Sequence, residues 1–527
     1  MKKKNYINTA LIFTFLVIGL GCKTQQINKD ISTTNSLPNI IIIFADDLGY
    51  GDISIYDKNN KINTVQLDQL ASDGMYFTDA HTPSSVCTPT RYGLLTGRYN
   101  WRSKLKRGVV NGTAKALIPN SRTTFGSVLQ DKGYNTAFIG KWHLGWDWGL
   151  KDEAKKNQKR IGSKDIDFTK EVKNTPNDLG FDYSYGHCGS LDMAPYVYVE
   201  NGQVTELPDT TTYKREKYVM WREGPISKDF VHEDVTPNFF RRGMDYIKEY
   251  SKKSDPFLLY LPLPSPHNPI MPTKEWQGKS GLNPYGDFML MIDDYVGQLV
   301  NSVEEAGISD NTIIIFTSDN GCSPSAKIQE LKRMGHSPNS IYRGHKADIY
   351  EGGHRVPFIV KWPKEIKKGS VSDETICLTD LMATFAEIAD YDMKDSEGED
   401  SYSLLPVLKN EDFASPLREA TVYHSIRGNF AITKGDWKLI MCPGSGGWSM
   451  PGPKDPTTLE GLPNVQLYNL SNDPRETENL EYSEPEKVEE LKLLLSKYIT
   501  EGRSTPGEIQ ENDPITFKWK EIDFINN

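Results

Sequence analysis

The sequence of 527 residues contains little cysteine, no long block of basic residues and no apolar run long enough to cross a bilayer. Six cysteines in a chain of this length are too few for a fold held together by disulfides. The 71 acidic residues outnumber 61 Lys and Arg residues, which gives a net charge of −10. Because nucleic-acid binders neutralise phosphates with clustered basic residues, this charge argues against a nucleic-acid partner. If the ligand is an anion, the positive charge that binds it must be local.

The composition is typical of a globular protein. Apolar residues make up 37% of the chain, aromatic residues 11% and charged residues 25%. These values allow a large buried core and exclude a disordered, collagen-like or coiled-coil chain. The length predicts two or three domains.

Residues 1–22 have the layout of a secretory signal peptide. Three lysines precede an apolar run at residues 10–20, which matches the charged and apolar regions of such signals. Residues 23–37 are polar and rich in Thr, Asn, Gln and Ser, so they predict a linker. The sequence therefore predicts an exported protein.

Cys22 ends the signal segment and follows the small residue Gly21. This arrangement resembles a bacterial lipoprotein signal, in which the cysteine is lipidated and becomes the mature N-terminus. Gly19 stands where that signal usually has an aliphatic residue, and an ordinary cleaved signal is the alternative. The two interpretations predict an outer-membrane-anchored or a periplasmic protein, with membrane contact only through an N-terminal lipid.

Short, nearly continuous apolar runs predict buried strands of a parallel or mixed sheet. These runs are Asn39 to Ala45, Tyr134 to Gly140, Pro256 to Leu261, Asn311 to Ser318 and Pro357 to Trp362. Helical patterns lie between them at residues 237–252 and 286–306. This alternation is typical of α/β proteins.

Polar side chains follow four of these runs closely. In open α/β sheets, ligands bind beyond the carboxyl ends of the strands, so we expect the four groups to meet at one edge of the sheet. The groups are Asp46-Asp47, Lys141-Trp142-His143, Pro266-His267 and Asp319-Asn320-Gly321.

The acidic and amide members of this set predict a cation site. Asp46, Asp47, Asp319 and Asn320 offer only oxygen donors, which suit Ca²⁺ or Mg²⁺ better than zinc. Either pair by itself is equally typical of a turn. Their parallel placement after two strands favours a metal site.

The remaining polar groups are cationic or able to transfer a proton. His267 stands between two prolines, which predicts an ordered loop suited to a general acid. Lys141 and His143 follow one strand, and Lys346 precedes a glycine-rich stretch that allows close backbone approach. We interpret the other histidines that stand alone as ordinary hydrogen-bonded residues; they include His232, His336 and His424.

Cys87 is the candidate nucleophile. Pro89 suits the first turn of a helix and Gly97 its end, so Cys87 lies at or just before a helix N-terminus, which favours anions. Arg91, one turn later, is expected to point to the same side. These residues alone predict a thiolate or anion site, with a buried structural cysteine as the alternative.

The sequence CTPTR at residues 87–91 resembles the Cys-x-Pro-x-Arg signature of type I, formylglycine-dependent sulfatases, and LLTGR at 94–98 matches its continuation. Thr90 stands where the signature usually has Ser. The resemblance covers nearly the whole mature chain, in the order of the family. The further matching segments are Asp46–Gly49, Gly140–Gly145, Pro266–Pro269, Ser318–Gly321, Glu351–Pro357, Trp437–Ile440, Leu467–Leu470, Asp473-Pro474 and Asn479-Leu480.

The resemblance implies a chemistry and a set of roles. A formylglycine-generating or anaerobic maturation enzyme oxidises Cys87 to formylglycine (3-oxoalanine), whose hydrate attacks the sulfur of a sulfate ester. One Ca²⁺ is implied, held by Asp46, Asp47, the Cys87-derived residue, Asp319 and Asn320. The other implied roles are stabilisation of the hydrate by Arg91 and Lys141, proton uptake by His143, and sulfate binding and assistance to the leaving alcohol by His267 and Lys346.

The resemblance also implies the architecture, an α/β fold like that of alkaline phosphatase. A large mixed sheet flanked by helices forms a catalytic domain at residues 38–400, and a small antiparallel sheet with a last helix forms residues 401–527. A polar, acidic stretch at 392–400 and an amphipathic pattern at 485–498 support this division.

The substrate is expected to be a sulfated carbohydrate. Residues 183–224 mix aromatic and polar side chains suited to sugars, and we single out His187, Asp192 and Arg102 as substrate-binding candidates. The string at 190–193 resembles sulfatases acting on 6-O-sulfated galactose or N-acetylgalactosamine. Ulvan, porphyran, carrageenan and glycosaminoglycans remain open.

Two rival classes remain at this point. A phosphatase or phosphodiesterase of the same superfamily would need a Ser or Thr nucleophile and more His and Asp ligands for two zinc ions, which Cys87 argues against. A lipoprotein that only binds sulfated glycans would not need every catalytic position to be occupied. The sequence leaves open the oligomeric state, exo or endo action, and any disulfide among Cys188, Cys322, Cys377 and Cys442.

Overall fold

A mixed sheet of ten strands forms the centre of the computed structural model, which describes residue 1 and residues 37–158, 161–411, 413 and 416–526. The strands in chain order are β1 (Asn39–Asp46), β2 (Met75–Phe77), β3 (Ala80–His81), β4 (Asn135–Lys141), β5 (Tyr183–His187), β6 (Val199–Glu200), β7 (Gln203–Val204), β8 (Thr210–Arg215), β9 (Met220–Ile226), β10 (Phe257–Pro266), β11 (Thr312–Ser318), β12 (Phe358–Lys361), β13 (Ser370–Ser372), β14 (Ile376–Cys377), β15 (Thr421–His424), β16 (Phe430–Lys434), β17 (Trp437–Ile440) and β18 (Gln466–Asn469).

Helices accompany the sheet along the chain. They are α1 (Val65–Asp73), α2 (Cys87–Thr96), α3 (Phe125–Asp131), α4 (Val235–Tyr250), α5 (Pro284–Glu305), α6 (Ile328–Arg333), α7 (Glu351–His354), α8 (Leu381–Ile388), α9 (Leu405–Leu408) and α10 (Pro485–Thr500). None of the helices in the described residues is both long and apolar enough to span a membrane. Residues 2–36, which include the predicted signal, most of the linker and Cys22, lie outside the described residues.

The order of the central sheet is β13-β2-β12-β11-β1-β10-β4-β5-β6-β7. The strands from β11 to β5 are parallel, and β12 pairs antiparallel with β11. The predicted large mixed sheet is therefore confirmed. Its central strands are those predicted from the continuous apolar runs.

β1 shows why such a run is continuous. Ile40, Ile42 and Phe44 pack into the core on one face of the sheet, and Ile41 and Ile43 pack into the core on the other. All five side chains have no exposed surface. A strand buried on both faces has no polar position, and each isoleucine contributes about 1.5–3 kcal/mol by its burial.

Helix α2 begins at Cys87 and ends before Gly97, whose φ of 62° lies in the left-handed region that favours glycine. A Cβ at Gly97 would also lie 2.7 Å from Met382 Cβ. The predicted positions of Pro89 near the start and Gly97 at the end are thus confirmed. The helix is buried along its whole length.

The C-terminal part contains the predicted antiparallel sheet and last helix. β15, β16, β17 and β18 pair in sequence order, and Leu491 and Leu495 of α10 share a hydrophobic core with Ile432 and Leu439. Residues 37–527 form one compact unit. The boundary at residue 400 stays a prediction, and the first strand of the small sheet begins at Thr421.

The described cysteines are unpaired. Cys87, Cys188, Cys322, Cys377 and Cys442 are all buried free thiols. The described part of the fold is therefore stabilised by packing and polar contacts without a disulfide.

Arg102 connects the N-terminal part of the fold to the C-terminal segment and is fully buried. Its Nε and Nη2 donate to the two carboxylate oxygens of Asp400, both at 2.8 Å, and Nη1 donates to Tyr498 O at 2.8 Å. The prediction that Arg102 binds substrate is corrected by these contacts. A guanidinium with no exposed surface and with its donors committed to protein oxygens is a structural group.

The Arg102→Ala variant tests this role. Removing one partner of a buried ion pair leaves Asp400 uncompensated, so we expect the free energy of unfolding to fall by about 3–5 kcal/mol in urea denaturation. Arg107→Ala is the matched control, because Arg107 is 65% exposed and its Nη1 lies 3.9 Å from Glu521 Oε1. The free energy of unfolding of this variant should fall by less than about 0.5 kcal/mol. Equal losses in the two variants would refute the structural role of Arg102.

Candidate active site

The carboxyl ends of four neighbouring strands bring the predicted polar groups together. β11, β1, β10 and β4 are adjacent in the sheet. They end immediately before or at Asp319, Asp46, His267 and Lys141. The side chains that follow these strands contact one another, as expected for a ligand site at the edge of a parallel sheet.

Asp46, Asp47, Asp319 and Asn320 form a buried cluster rich in oxygen atoms. The Asp47 backbone N–H donates to Asp319 Oδ1 at 3.1 Å, and Asn320 Nδ2 donates to Asp47 Oδ1 at 2.7 Å. Among the described residues, Asp46 Oδ1, Asp47 Oδ2 and Asn320 Oδ1 are buried and accept no hydrogen bond. Buried oxygens without donors are costly. Such oxygens in one cluster fit a hard cation such as Ca²⁺.

Each of the three carboxylates has its own cationic partner. The pairs are Lys141 Nζ with Asp46 Oδ2 at 2.5 Å, Lys346 Nζ with Asp47 Oδ1 at 2.6 Å, and Arg91 Nη2 with Asp319 Oδ2 at 2.8 Å. Arg91 Nη1 also donates to Lys141 O at 3.1 Å. The formal charges of these six side chains cancel. The positive groups hold the carboxylates in place while leaving one oxygen of Asp46 and one of Asp47 without a donor.

Burial and charge act in opposite directions on the carboxylates. Burial raises the pKa of Asp46, but Lys141, His267 and Arg91 outweigh it and hold the pKa of Asp46 well below its usual range. Asp319 is buried and repelled by Asp46, so the pKa of its carboxyl is raised to about 7 despite Arg91. In the absence of a cation, Asp319 therefore takes up a proton at a higher pH than Asp46 does.

Cys87 faces Lys346 at the start of α2. Its side chain is buried, and Sγ lies 3.3 Å from Lys346 Nζ. Burial raises the pKa of the Cys87 thiol to about 12, although Lys141 and Lys346 act to lower it. The interpretation of Cys87 as a thiolate is therefore wrong for the unmodified residue, because desolvation outweighs the nearby positive charges.

His143 presents one free ring nitrogen. Nε2 lies 2.9 Å from the carbonyl oxygen of Val110, which can only accept, so Nε2 carries the proton. Nδ1 is buried and without a partner in the described structure. Burial and then Lys141 and Arg91 lower the pKa of His143 well below its usual value. The result is a neutral imidazole whose Nδ1 can take up a proton.

Two site residues have a left-handed backbone, which side chains other than glycine rarely adopt. Asp47 has a φ of 70° and His143 a φ of 57°. This conformation is unfavourable for such residues, and its presence at two neighbouring polar positions is typical of a functional site.

His267 lies against the carboxylate cluster. Its Nε2 is 3.6 Å from Asp47 Oδ2, and its Nδ1 is 2.6 Å from Asn268 O. Ligand atoms of Asp46, Asp47, Cys87 and His267 all lie within 4.8 Å of one another. This group includes His267, whereas the predicted metal set has Asp319 and Asn320 in that place.

Of the two residues predicted to bind substrate here, His187 ends β5 and Asp192 lies on the segment that follows it. His187 O accepts from Trp142 N at 3.0 Å. The buried His187 ring stacks on Phe239, and its Nε2 has no partner in the described structure. Asp192 Oδ2 pairs with Arg222 at 3.1 Å, and its Oδ1 is buried and unpaired. Both residues carry polar atoms that a ligand could satisfy.

A second buried cluster of titratable residues was not found from the sequence. Lys438 Nζ lies 2.9 Å from Glu351 Oε1, 2.9 Å from His354 Nε2 and 2.8 Å from Glu476 Oε1. His81 Nδ1 lies 3.0 Å from His354 Nδ1. The ammonium group occupies the centre of this cluster, so its charge replaces that of a metal ion. The segments Glu351–Pro357 and Trp437–Ile440 contain Glu351, His354 and Lys438, but nothing in the sequence indicated that these residues meet.

Two buried serines were also missed. Ser85 and Ser190 have hydroxyl groups without a partner among the described residues. Ser85 lies two residues before Cys87. Ser190 lies two residues after Cys188, and the carbonyl oxygen of Cys188 accepts from His143 N at 3.1 Å. Serine is common throughout the chain, so nothing in the sequence marks these two.

Comparison with family models and known proteins gives a consistent result. A model described as Sulfatase matches residues 38–391, and a model described as N-sulphoglucosamine sulphohydrolase, C-terminal, matches residues 345–450. An N-acetylgalactosamine-6-O-sulfatase of Bacteroides thetaiotaomicron is 33% identical, over 91% of this chain and 96% of that protein. Human arylsulfatase A is 30% identical, over 87% of each chain.

Solved structures agree. A Bacteroides thetaiotaomicron protein, described in connection with the metabolism of multiple glycosaminoglycans, has a TM-score of 0.76 and 32% identity, over 88% of this chain and 99% of that chain. The structure of Ps i-CgsB in complex with k-i-k-neocarrahexaose has a TM-score of 0.67 at 23% identity, over 90% and 95% of the two chains, and supports the fold alone. The family match over most of the residues that carry the site shows that this chain belongs to the sulfatase family of sulfuric ester hydrolases.

Proposed function

We propose that this protein hydrolyses sulfate esters of a sulfated carbohydrate, using a formylglycine derived from Cys87 and one Ca²⁺. The observation that carries this proposal is the position of Cys87 at the start of α2. There its Sγ lies 3.3 Å from Lys346 Nζ, and its ligand atom lies within 4.8 Å of those of Asp46 and Asp47. Nucleophile, cation ligands and anion-binding lysine thus share one small site.

The proposed Ca²⁺ would be held by Asp46, Asp47, Asn320, Asp319 and the Cys87-derived side chain. The donor-free oxygens of Asp46, Asp47 and Asn320 support this assignment, because a cation removes the cost of their burial. When bound, the ion supplies Lewis-acid polarisation of the sulfate ester. Since the six charged side chains cancel formally, its two charges would make the pocket positive for an anionic substrate inside an acidic protein.

Modification of Cys87 explains how a buried thiol becomes reactive. The thiol is protonated near neutral pH because burial raises its pKa to about 12, and a thiol is a weak nucleophile compared with a thiolate. Formylglycine would supply a hydrated aldehyde as the nucleophile toward sulfur, with the alcohol as the leaving group and the later elimination of sulfate restoring the aldehyde. The protein therefore needs a formylglycine-generating or anaerobic maturation enzyme as a partner.

The chain's own residues bind and move protons around this group. Arg91 and Lys141 lie on the same side as the carboxylates and orient the Cys87-derived side chain. His143 accepts a proton at Nδ1, the nitrogen that has no partner. Lys346 and His267 bind sulfate oxygens, and His267, at the more exposed rim of the site, donates a proton to the leaving alcohol.

We further propose a galactose-type sugar with a 6-O-sulfate, either galactose or N-acetylgalactosamine, as the substrate. The 33% identity to an N-acetylgalactosamine-6-O-sulfatase over most of both chains supports it. His187 and Asp192 would contact the sugar, since each has a buried polar atom without a partner in the described structure. Ulvan, porphyran, carrageenan and chondroitin saccharides are the substrates to compare.

Export to the periplasm, with or without a lipid on Cys22, is proposed from the sequence of residues 1–22. The rival assignment, a two-zinc phosphatase, is disfavoured by the contacts of the second buried cluster. In that cluster Glu351 and His354 contact the Lys438 ammonium group, whose positive charge disfavours a second cation there.

Cys87→Ala tests the nucleophile. In protein produced with a formylglycine-generating enzyme and Ca²⁺, we expect this variant to lose sulfate release from 6-O-sulfated saccharides by about a thousandfold or more. Cys377→Ala, which removes another buried free thiol, is the control and should retain activity within about twofold. Peptide mass spectrometry verifies the aldehyde at residue 87, and full activity of Cys87→Ala would disprove the proposal.

Calcium binding should depend on pH through Asp319. Because the pKa of its carboxyl is raised to about 7 in the protein without metal, a cation must displace a proton there below that pH. We therefore expect Ca²⁺ to raise the melting temperature more at about pH 8 than at about pH 5.5.

The raised pKa of Asp319 also predicts a pH dependence of the stability of the metal-free protein. Between about pH 4 and 7, the contribution of Asp319 to the stability of the metal-free protein should fall as the pH rises, because its carboxyl keeps a proton in the folded state that it has already lost in the unfolded state. Asp319→Asn, which cannot ionise, should flatten both pH dependences in thermal scans with EDTA or Ca²⁺. An equal calcium effect at both pH values in the unaltered protein would count against this account.

A further inference from the structure

Trp448 is unusual among the tryptophans of this protein because its side chain is 40% exposed. The other nine are buried or half-buried in the described structure. A single exposed apolar side chain needs no explanation by itself. The backbone of Trp448, however, is fixed to the segment that follows Lys346.

The backbone around Trp448 is anchored to the segment that carries Lys346. Trp448 N and Ser449 N both donate to Asp348 Oδ1, at 2.7 and 2.9 Å, and Ile349 N donates to Ser445 O at 2.9 Å. Gly447 packs so closely that a Cβ there would lie 2.3 Å from Ala347 O. The backbone of Trp448 is therefore fixed relative to the segment that contains Lys346.

Arg427 reaches the same place from the turn between β15 and β16. Ile426 N donates to Ala347 O at 3.1 Å, so Arg427 and Trp448 each adjoin a residue that contacts this carbonyl group. Arg427 is exposed, and its guanidinium makes no hydrogen bond or ion pair with the described residues. The segment with an exposed aromatic side chain and the segment with an unpaired cation thus both adjoin Ala347.

Ala347 directly follows Lys346, whose ammonium group contacts Cys87 and Asp47. Ala347 N also donates to Ser85 O at 2.8 Å, two residues before Cys87. The two segments that carry Trp448 and Arg427 therefore both pack against the residue that follows Lys346.

We propose that Trp448 and Arg427 form a subsite for the sugar unit adjacent to the sulfated one. The indole packs against the apolar face of this sugar, and the guanidinium pairs with an anionic group on it, a sulfate or a carboxylate. The subsite rests on the proposed function and adds to it a preference for an anionic oligosaccharide over a single sulfated sugar. The fixed backbone reduces the entropy lost when the sugar binds.

The test compares substrates that do and do not reach the subsite. We expect Trp448→Ala, in matured protein with Ca²⁺, to raise KM about tenfold for a 6-sulfated tetrasaccharide and to change KM less than about twofold for the 6-sulfated monosaccharide. Arg427→Ala should raise KM for the tetrasaccharide at low salt and less at high salt. A uronate-containing chondroitin saccharide and a uronate-free sulfated galactan saccharide show whether carboxylate or sulfate is the partner of Arg427.

Tyr482→Ala is the matched control, because Tyr482 is an aromatic residue with 84% exposure and lies outside the segments that contact Ala347. It should behave like the unaltered protein with every substrate. The subsite proposal is overturned if Trp448→Ala gives the same KM values as Tyr482→Ala. It is also overturned if Trp448→Ala raises KM equally for the monosaccharide and the tetrasaccharide.

Binding separates this proposal from the proposed function. In the Cys87→Ala background, calorimetry with the tetrasaccharide should give a Kd that rises about tenfold when Trp448→Ala is added. If the unaltered protein releases no sulfate, the proposed function fails while this binding result still decides the subsite. An unchanged Kd, or no tetrasaccharide binding, overturns it.

Discussion

A buried array of charges at the end of β1 governs the rest of the site. Three carboxylates are paired with three cations, yet Asp46 Oδ1, Asp47 Oδ2 and Asn320 Oδ1 have no donor within the described chain. An arrangement of this kind is stable only if something positive meets the free oxygens. Burial and the neighbouring Asp46 raise the pKa of Asp319 to about 7, so a proton on this carboxyl reduces the negative charge of the array when no cation is present.

The fold holds this array from two directions. Parallel strands with apolar faces on both sides place Asp46, Lys141 and Asp319 at neighbouring carboxyl ends. The C-terminal sheet holds the other wall through Lys438, which pairs with Glu351 on α7, and Gly353 O of the same helix accepts from Gly321 N at 3.0 Å. The small sheet thus supports the loop that carries Asp319 and Asn320, in addition to adding stability of its own.

The central strands could be predicted from the sequence because burial on both faces leaves a continuous apolar run, as in β1. The polar groups after them could be predicted because the ends of parallel strands coincide. Arg102 could not be placed correctly: its partner Asp400 lies 298 positions away in the sequence, and only the fold brings the two together. The thiolate interpretation of Cys87 failed for a related reason, since the burial that raises its pKa depends on residues distant in the chain. Trp448 and Ser85 carry no local pattern at all.

The central claim is that this array is completed by one hard cation. The direct measurement is the metal content of the purified, matured protein after equilibration with Ca²⁺, Mg²⁺ and Zn²⁺ together, determined by elemental mass spectrometry for the unaltered chain and for Asp47→Asn. The account predicts one Ca²⁺ per chain and a loss of most of it in the variant. Two zinc ions per chain, or no bound cation, would contradict it.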